Sequence, residues 1–222
     1  MINPLNLARI IERQVCKRDT KKFYRFRKTR FYGGCATADC VGCNLRCAYC
    51  WAQNKVWYPR KFGKFYTTKT VSEKLIKMNL SLMRVSGGEP TICREYLMEL
   101  IRSIPEDKLF ILETNGILLD EDFIKDLSIF GNLFVRVSLK GVDERTFEKI
   151  TGAEGKFFNT QIRALDLLKK YKIEYRAAIL SDLFTDAQIN SLEIPGIEYE
   201  KLIDYPFVKK NLNKRGIKII RR

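Results

Sequence analysis

From about residue 70, the chain alternates between short apolar strands and amphipathic helices. We predict strands at 82–86, 109–112, 133–139 and 173–180, and helices at 71–83, 95–104, 120–130 and 160–171. Such alternation indicates right-handed crossovers and a mainly parallel sheet, which is the α/β class. Ligands bind at the carboxyl ends of the strands in these sheets, so the residues that follow each strand are candidates for a site.

Further elements are predicted on both sides of this region. The spacing of Leu5, Leu7, Ile10 and Ile11 predicts a first amphipathic helix, and residues 17–32 predict a strand or hairpin. A short helix over 186–192 and a last strand pair over 197–203 and 216–220 complete the chain. With 222 residues and 45% hydrophobic composition, we expect one domain with one core.

The positive charge is concentrated at the two ends of the chain. Residues 1–64 hold 15 Lys and Arg against 3 Asp and Glu, residues 205–222 hold 7 against none, and residues 65–204 hold 19 against 23. Within residues 17–32, eight basic residues interleave with five aromatic ones. Such ends suit RNA, DNA or an acidic protein partner, and a merely solvated surface is the competing interpretation.

Cysteine usage points to a reduced compartment and to metal ligation. Seven cysteines are an odd number, and five of them lie within residues 35–50, unlike the cysteines of a secreted disulfide scaffold. The chain has no run of about 18 apolar residues and no signal-peptide centre, so we expect a cytoplasmic protein without a membrane partner. Histidine is absent, which removes the commonest general base and a common zinc ligand.

Three of these cysteines form a C-x3-C-x2-C run: Cys43, Cys47 and Cys50. Closely spaced thiolates on one loop reach separate irons of a cubane cluster with little closure entropy. Three ligands leave one iron open to another ligand, as in catalytic zinc sites. A zinc site or buried free thiols are the alternatives, although zinc would need a fourth ligand that no histidine supplies.

A glycine turn follows the first predicted strand of the alternating region. Ser86-Gly87-Gly88-Glu89-Pro90 combines glycines, which let a backbone approach a ligand closely, with a carboxylate that can pair with an ammonium group. By itself this segment would be an ordinary turn. Its position about forty residues after the three-cysteine run suggests a shared site.

Together these two motifs resemble those of the radical S-adenosylmethionine (SAM) superfamily, including the aromatic Tyr49 before the last cysteine. The resemblance implies a partial (β/α)6 barrel over about residues 32–206, with basic extensions at 1–31 and 207–222. It implies a [4Fe-4S] cluster on the three cysteines, and SAM bound by Gly87, Gly88 and Glu89, whose segment contacts the methionyl ammonium. It also implies reductive cleavage of SAM to a 5′-deoxyadenosyl radical that abstracts hydrogen from a substrate.

Two weaker matches resemble glycyl-radical activating enzymes. Glu113-Thr114-Asn115-Gly116 is similar to their Thr-Asn-Gly at the third strand, which implies a cofactor contact for Asn115. Ser138-Leu139-Lys140 lies where they often carry Asp-Leu-Lys or Asp-Ile-Lys, whose lysine helps bind the cofactor. The resemblance implies a cofactor contact for Lys140, which matches that pattern, and for Ser138, which departs from it. A surface lysine near a turn is the alternative for Lys140.

The remaining cysteines are Cys16, Cys35, Cys40 and Cys93. Four thiolates would suffice for a second cluster, but free buried cysteines are common. Cys35 and Cys40 precede the cluster run directly, so either is also a candidate to face the substrate.

We therefore expect a radical SAM enzyme with an activase-like core that abstracts hydrogen from a substrate that the sequence does not identify, and an electron donor of the ferredoxin or flavodoxin type. A protein partner is one candidate substrate. Modification of RNA or tRNA is one alternative, which the basic ends favour. A small-molecule reaction of the deazapurine type is another, which the small core favours. A zinc-binding nucleic-acid adaptor is the alternative from a different class.

Overall fold

In the computed structural model, which describes residues 1–220, nine strands form one sheet. The strands are β1 (Cys16–Lys17), β2 (Thr20–Thr29), β3 (Cys35–Cys40), β4 (Lys64–Thr67), β5 (Leu82–Gly87), β6 (Leu109–Thr114), β7 (Leu133–Leu139), β8 (Glu174–Leu180) and β9 (Glu198–Glu200). The helices are α1 (Pro4–Val15), α2 (Gln53–Trp57), α3 (Thr68–Ile76), α4 (Arg94–Arg102), α5 (Glu121–Leu127), α6 (Glu144–Thr151), α7 (Phe157–Lys170), α8 (Asp186–Asn190) and α9 (Pro206–Lys214).

The sheet is largely parallel and open. Its order is β1-β2-β3-β5-β6-β7-β8-β9, with β4 paired to β2, and the pairs from β3 to β9 are all parallel. Strand β2 runs antiparallel to β1, β3 and β4, so part of the predicted N-terminal extension belongs to the same sheet. The expected α/β class and partial barrel are confirmed, whereas the division into core and extensions stays a prediction.

Alternate residues of each strand face the helices and form the main core. Met83, Val85, Phe110, Leu112 and Val135 pack there with side chains of α4, α5 and α7. We call the opposite side of the sheet the inner face. Because side chains alternate along a strand, this face receives the residues between the core positions. No helix of the described residues is long and apolar enough to cross a membrane.

Two predicted elements differ from the structure. The helix predicted over 71–83 ends at Ile76, because a turn with Asn79 in the left-handed region (φ 53°) precedes β5. The predicted strand over 216–220 is wrong: helix α9 precedes it, and the backbone N–H of Ile220 donates to the Asp182 carbonyl (2.7 Å) without a ladder.

The four remaining cysteines do not come together, so the second cluster considered from sequence is wrong. Cys16 and Cys93 form a disulfide with 6.1 Å between their Cα atoms, so the expectation of reduced cysteines is wrong for this pair. Cys40 lies in the core on the helix side of β3. Cys35 lies on the inner face, where its Sγ is 2.9 Å from the Thr29 hydroxyl. No four-thiolate set therefore exists among them.

The basic and aromatic segment over 17–32 is also less available than its sequence indicates. Phe23 is 1% exposed and packs against Phe26, Tyr66 and Tyr96. Lys21 is equally buried, and its Nζ donates to the carbonyl of Pro90 (3.2 Å). Since stacking on bases needs exposed rings, Phe23 is not available to unpaired RNA, whereas Phe31 and Tyr32 at the end of the segment are exposed.

Candidate functional site

The three-cysteine run forms an irregular loop, residues 41–52, at the carboxyl end of β3. Its backbone is fastened to the end of α6, because Arg46 N–H donates to Thr151 O (3.2 Å) and Ala48 N–H to Ile150 O (2.9 Å). Cys47 is buried, and Cys43 and Cys50 are partly buried. The loop is therefore held by a helix that sequence patterning did not reveal. The sequence signal for helix α6 is the capping box that Asp143 and Thr146 form at its start.

The chemistry of this loop fits an iron–sulfur cluster. Burial raises the pKa of the Cys47 thiol and raises that of Cys50 to about 12, so coordination by a metal is what would make these groups thiolates. Lys140 and Arg215 oppose the effect of burial on the Cys47 pKa, and such cations would offset thiolate charge. The buried Nδ2 of Asn44, in the same loop, has no hydrogen-bond partner.

The three thiols are not arranged for one metal ion. Within residues 1–220, no three His, Cys, Asp or Glu side chains are grouped as ligands of a single ion. In a cubane each thiolate binds its own iron, so its ligands need not converge on one point. Three thiolates fit a cubane with one open iron, whereas a structural zinc site takes four protein ligands.

The glycine turn packs against the segment that enters this loop. The N–H of Gly88 donates to Cys40 O (2.9 Å), and the N–H of Glu89 donates to Gly42 O (2.7 Å). A Cβ on Gly88 would overlap the Gly42 carbonyl oxygen, and Gly87 adopts φ +92°. The sequence motif suggested that these glycines admit a ligand. In the structure, Gly88 makes room for protein backbone.

Glu89 has protein partners where its motif predicted an ammonium. Its carboxylate is 2% exposed. Oε1 accepts from Thr91 N (3.1 Å), Thr91 Oγ1 (2.6 Å) and Thr114 Oγ1 (2.7 Å), and Oε2 accepts from Asn115 N (2.8 Å). Glu89 thus ties the ends of β5 and β6 together. Oε2 accepts one hydrogen bond and has a second lone pair, so one acceptor position remains on that oxygen.

Asn115 connects the third motif to the cluster loop. Its Nδ2 donates to Asn44 Oδ1 (2.8 Å) and lies 3.8 Å from Cys43 Sγ. Its backbone carbonyl accepts from the buried Gln161 amide, which also bonds Ser138 O (3.2 Å). Sequence reasoning missed Gln161, although a glutamine among the apolar residues of α7 is a signal for such a role.

Ser138, Lys140 and Tyr49 come together at the ends of β7 and β9. Lys140 Nζ donates to Ser138 Oγ (2.6 Å) and lies 5.5 Å from the centroid of the Tyr49 ring. Ser138 Oγ donates to Glu200 Oε2 (3.4 Å). Burial alone would raise the pKa of Glu200, but Arg136 and Lys140 hold it below its usual value. Lys140 is partly buried in this group, so it is not a free surface lysine.

A row of charged side chains crosses the inner face below these motifs. Arg136 pairs with Glu200 (2.6 Å) and Glu198 (2.9 Å), and Arg84 pairs with Glu113 (3.1 Å). Each strand from β5 to β7 carries one such charge among apolar neighbours. The sequence signal was this single charge per strand, which periodicity analysis does not single out.

The sheet is open and largely parallel, and a loop with one buried and two partly buried cysteines lies at its carboxyl edge. This arrangement is that of an enzyme core that holds a cofactor at a metal cluster. Residues 39–189 match the radical SAM superfamily, and the chain belongs to that family. It is therefore a radical SAM enzyme, and enzymes of this family use a [4Fe-4S] cluster and SAM. The expected family, enzyme class and cofactors are confirmed.

Curated relatives share about a third of their residues with this chain over the matched part. GTP 3′,8-cyclase of Clostridium perfringens is 32% identical over 174 residues, covering 75% of this chain and 52% of that protein. Fe-coproporphyrin III synthase of Methanosarcina barkeri is 31% identical over 186 residues, covering 80% and 44%. The chain spans about half the length of these relatives.

Solved structures share the fold at lower identity. Native anSMEcpe with bound AdoMet has a TM-score of 0.58 at 22% identity, covering 74% of this chain and 50% of that one. TYW1 with a lysine-pyruvate adduct bound has a TM-score of 0.57 at 17% identity, covering 97% and 90%. At these identities the likeness concerns the fold alone.

Proposed function

We propose that this radical SAM enzyme acts on a small-molecule substrate bound on the inner face. Cys43, Cys47 and Cys50 would hold the cluster. When bound, the cluster and SAM supply an electron and a 5′-deoxyadenosyl radical. The observation that carries the substrate proposal is the row of charged groups on the inner face, beneath the cluster loop.

The chain's own residues would bind and orient SAM and the substrate. The Gly87 to Glu89 turn and Asn115 are proposed to position the methionyl part of SAM, because they adjoin the loop that carries Cys43. Lys140, Ser138 and Tyr49 are proposed for the opposite side of the site, next to Cys47. A half-buried set of ion pairs suits polar substrates, since it offers charge-assisted hydrogen bonds in several directions.

The names of the matched relatives support a small molecule. One is named for a reaction of GTP and another for synthesis of Fe-coproporphyrin III. The protein substrate of the activase-like interpretation stays a prediction, as does an electron donor of the ferredoxin or flavodoxin type. RNA modification, which the basic ends favour, also stays a prediction: Phe23 of the basic segment is buried, but Phe31 and Tyr32 are exposed.

Anaerobic reconstitution tests the proposal. Protein loaded with iron and sulfide is reduced with dithionite, given SAM, and assayed for 5′-deoxyadenosine with and without fractionated small molecules. We expect release without substrate and a stimulation by one low-molecular-weight fraction. Stimulation by a protein or tRNA fraction alone would contradict the small-molecule proposal, and no release at all would contradict the assignment of the three cysteines.

A further inference from the structure

We propose that Arg25 and Arg27, together with Trp51, form an oxyanion site that holds a phosphate or carboxylate group of the substrate. This inference rests on the proposed small-molecule function and specifies the chemical class of that substrate. It concerns a part of the chain to which neither sequence motif belongs.

The two arginines share one buried carboxylate. Nε of Arg25 lies 2.7 Å and Nε of Arg27 lies 2.9 Å from the same oxygen, Oδ2 of Asp39. Asp39 is fully buried, whereas the two arginine side chains are 41% and 29% exposed. A single carboxylate therefore positions two guanidinium groups next to each other, and the group keeps one net positive charge.

Neither guanidinium group uses its outer nitrogens on Asp39. Within residues 1–220, the hydrogen bonds of Arg25 and Arg27 to that carboxylate come from Nε only. The Nη donors form a fork that matches the two oxygens of a carboxylate or phosphate.

A β-bulge sets the direction of the arginines. Phe23 pairs with Cys40, but the register shifts before Arg25, which pairs with Asp39. If the register of Phe23 with Cys40 continued without this shift, Arg25 would lie opposite Ala38 and face the helices, where Ala38 packs in the core. Bulges often re-aim side chains beside active sites. Here the bulge turns both arginines onto the inner face.

The group lies next to the cluster loop and the glycine turn. The ring of Trp51, the residue after Cys50, is 5.4 Å from the guanidinium carbon of Arg25 and 6.0 Å from that of Arg27. On the other side, a Cβ on Gly87 would come within 3.0 Å of Asp39 Cβ. An anion held here would therefore lie at the same end of the sheet as the cofactor motifs.

Trp51 adds a flat surface that orients the two cations. Arginine stacks on aromatic faces, and this contact restricts the planar fork before a ligand arrives. Less side-chain entropy is then lost on binding. In the alternative interpretation, the arginines and Asp39 form a solvated ion-pair cluster that only stabilises the buried carboxylate. The two interpretations differ in whether the Nη atoms bind an anion or only water.

Calorimetric titration with two probes tests the site in the reconstituted wild-type protein. Tripolyphosphate tests for a phosphate group and citrate for a carboxylate group. We expect one or both to bind, and Arg25→Gln and Arg27→Gln each to weaken that binding by about tenfold or more, since each loses a charge-assisted fork. If only one of the two probes binds, that probe identifies the anion as a phosphate or a carboxylate.

Lys28→Gln is the matched control, because Lys28 is a neighbouring exposed basic residue that pairs with Ala36 and faces the helix side of the same strand. Equal losses in Lys28→Gln would mean diffuse attraction to a chain of net charge +15, and the proposal would be wrong. It would also be wrong if neither probe bound the wild-type protein.

Because Asp39 loses a partner in the glutamine variants, Arg25→Lys with Arg27→Lys is the second variant. It keeps the charge beside Asp39 but removes the planar fork. A folded double-lysine variant with unchanged probe affinity would overturn the bidentate site. Cleavage of SAM by the wild-type protein is scored separately, so failure of the proposed function and failure of the anion site remain distinguishable.

Discussion

Among single residues, Glu89 has a role that its motif did not reveal. Its position after two glycines suggested a partner for an ammonium group, yet its carboxylate accepts four hydrogen bonds from Thr91, Thr114 and Asn115. A buried carboxylate with several donors is an organising element as well as a ligand contact. Changes at Glu89 are therefore expected to affect folding as well as cofactor affinity.

Glu89→Gln is expected to destabilise the cofactor-free protein by about 1–3 kcal/mol, because the amide nitrogen would face donors where an oxygen now accepts. Denaturant unfolding measures this loss. The exposed Glu99, which pairs with Arg102 (2.9 Å), provides the control Glu99→Gln, with an expected change of about 0–1 kcal/mol. Equal stability of Glu89→Gln and the wild-type protein would show that the hydrogen-bonded group contributes nothing net.

Replacement of Cys43, Cys47 or Cys50 by alanine is expected to abolish the cluster in each case. No histidine is available in the chain as a substitute ligand. Iron and acid-labile sulfide analysis after reconstitution measures the outcome. Cys40→Ala is the control, because Cys40 packs in the core on the helix side of β3. This variant is expected to retain the cluster. A normal iron content in any of the three variants would remove that cysteine from the ligand set.

At the scale of elements, the cluster loop is supported from two directions. The turn after β5 bonds the segment that enters the loop, through Cys40 and Gly42. The end of α6 bonds the loop itself, and Arg215 after α9 donates to Arg46 O (2.7 Å). These supports come from distant parts of the chain. Because the turn bonds directly to the segment that enters the loop, a change in the turn is expected to affect how the loop holds the cluster.

Gly88→Ala tests this connection. The added Cβ would overlap the Gly42 carbonyl, so the turn must move, and we expect reduced cluster content in addition to weaker SAM binding. Iron content and equilibrium dialysis with SAM measure both effects. Gly131→Ala is the control, because a Cβ at Gly131 meets no atom within 4 Å. A full cluster with weakened SAM binding in Gly88→Ala would mean that the turn serves the cofactor only.

At the scale of the whole molecule, the disulfide joins the first helix and strand to the start of α4. Cys16 and Cys93 are separated by 77 residues, which spans the cluster loop and the glycine turn. Closing a loop of this length restricts the unfolded chain strongly. The N-terminal segment is thus linked covalently to the sheet as well as through the pairing of β2 with β3.

Replacing Cys16 and Cys93 together by alanine is expected to lower the free energy of unfolding by about 4 kcal/mol in the chain-entropy estimate. Guanidinium unfolding of the cofactor-free protein, with and without a thiol reductant, measures it. The reductant should shift the wild-type midpoint toward that of the double variant and leave the variant unchanged. A wild-type midpoint insensitive to reductant would contradict a stabilising disulfide.

Much of the architecture was predictable because its signals are local. Apolar strands such as Leu133–Leu139 and helices such as Phe157–Lys170 follow directly from periodicity. Helix α6 was missed because only Phe147 and Ile150 among its eight residues are apolar, too few to establish a period. The strand predicted over 216–220 rested on Ile217, Ile219 and Ile220, and such a short apolar run does not by itself distinguish a strand from an irregular segment. Short segments take their structure from tertiary contacts, which periodicity does not report.

By itself, the sequence determined the α/β class, the three-cysteine loop and the family motifs, because thiolate spacing and strand–helix alternation are properties of neighbouring residues. Tertiary structure decided which groups meet. It paired Cys16 with Cys93, enclosed Glu89 among donors from another strand, and brought Arg25 and Arg27 onto Asp39. These contacts join residues far apart in the chain or depend on a one-residue bulge, and strand register is fixed only when the whole sheet packs.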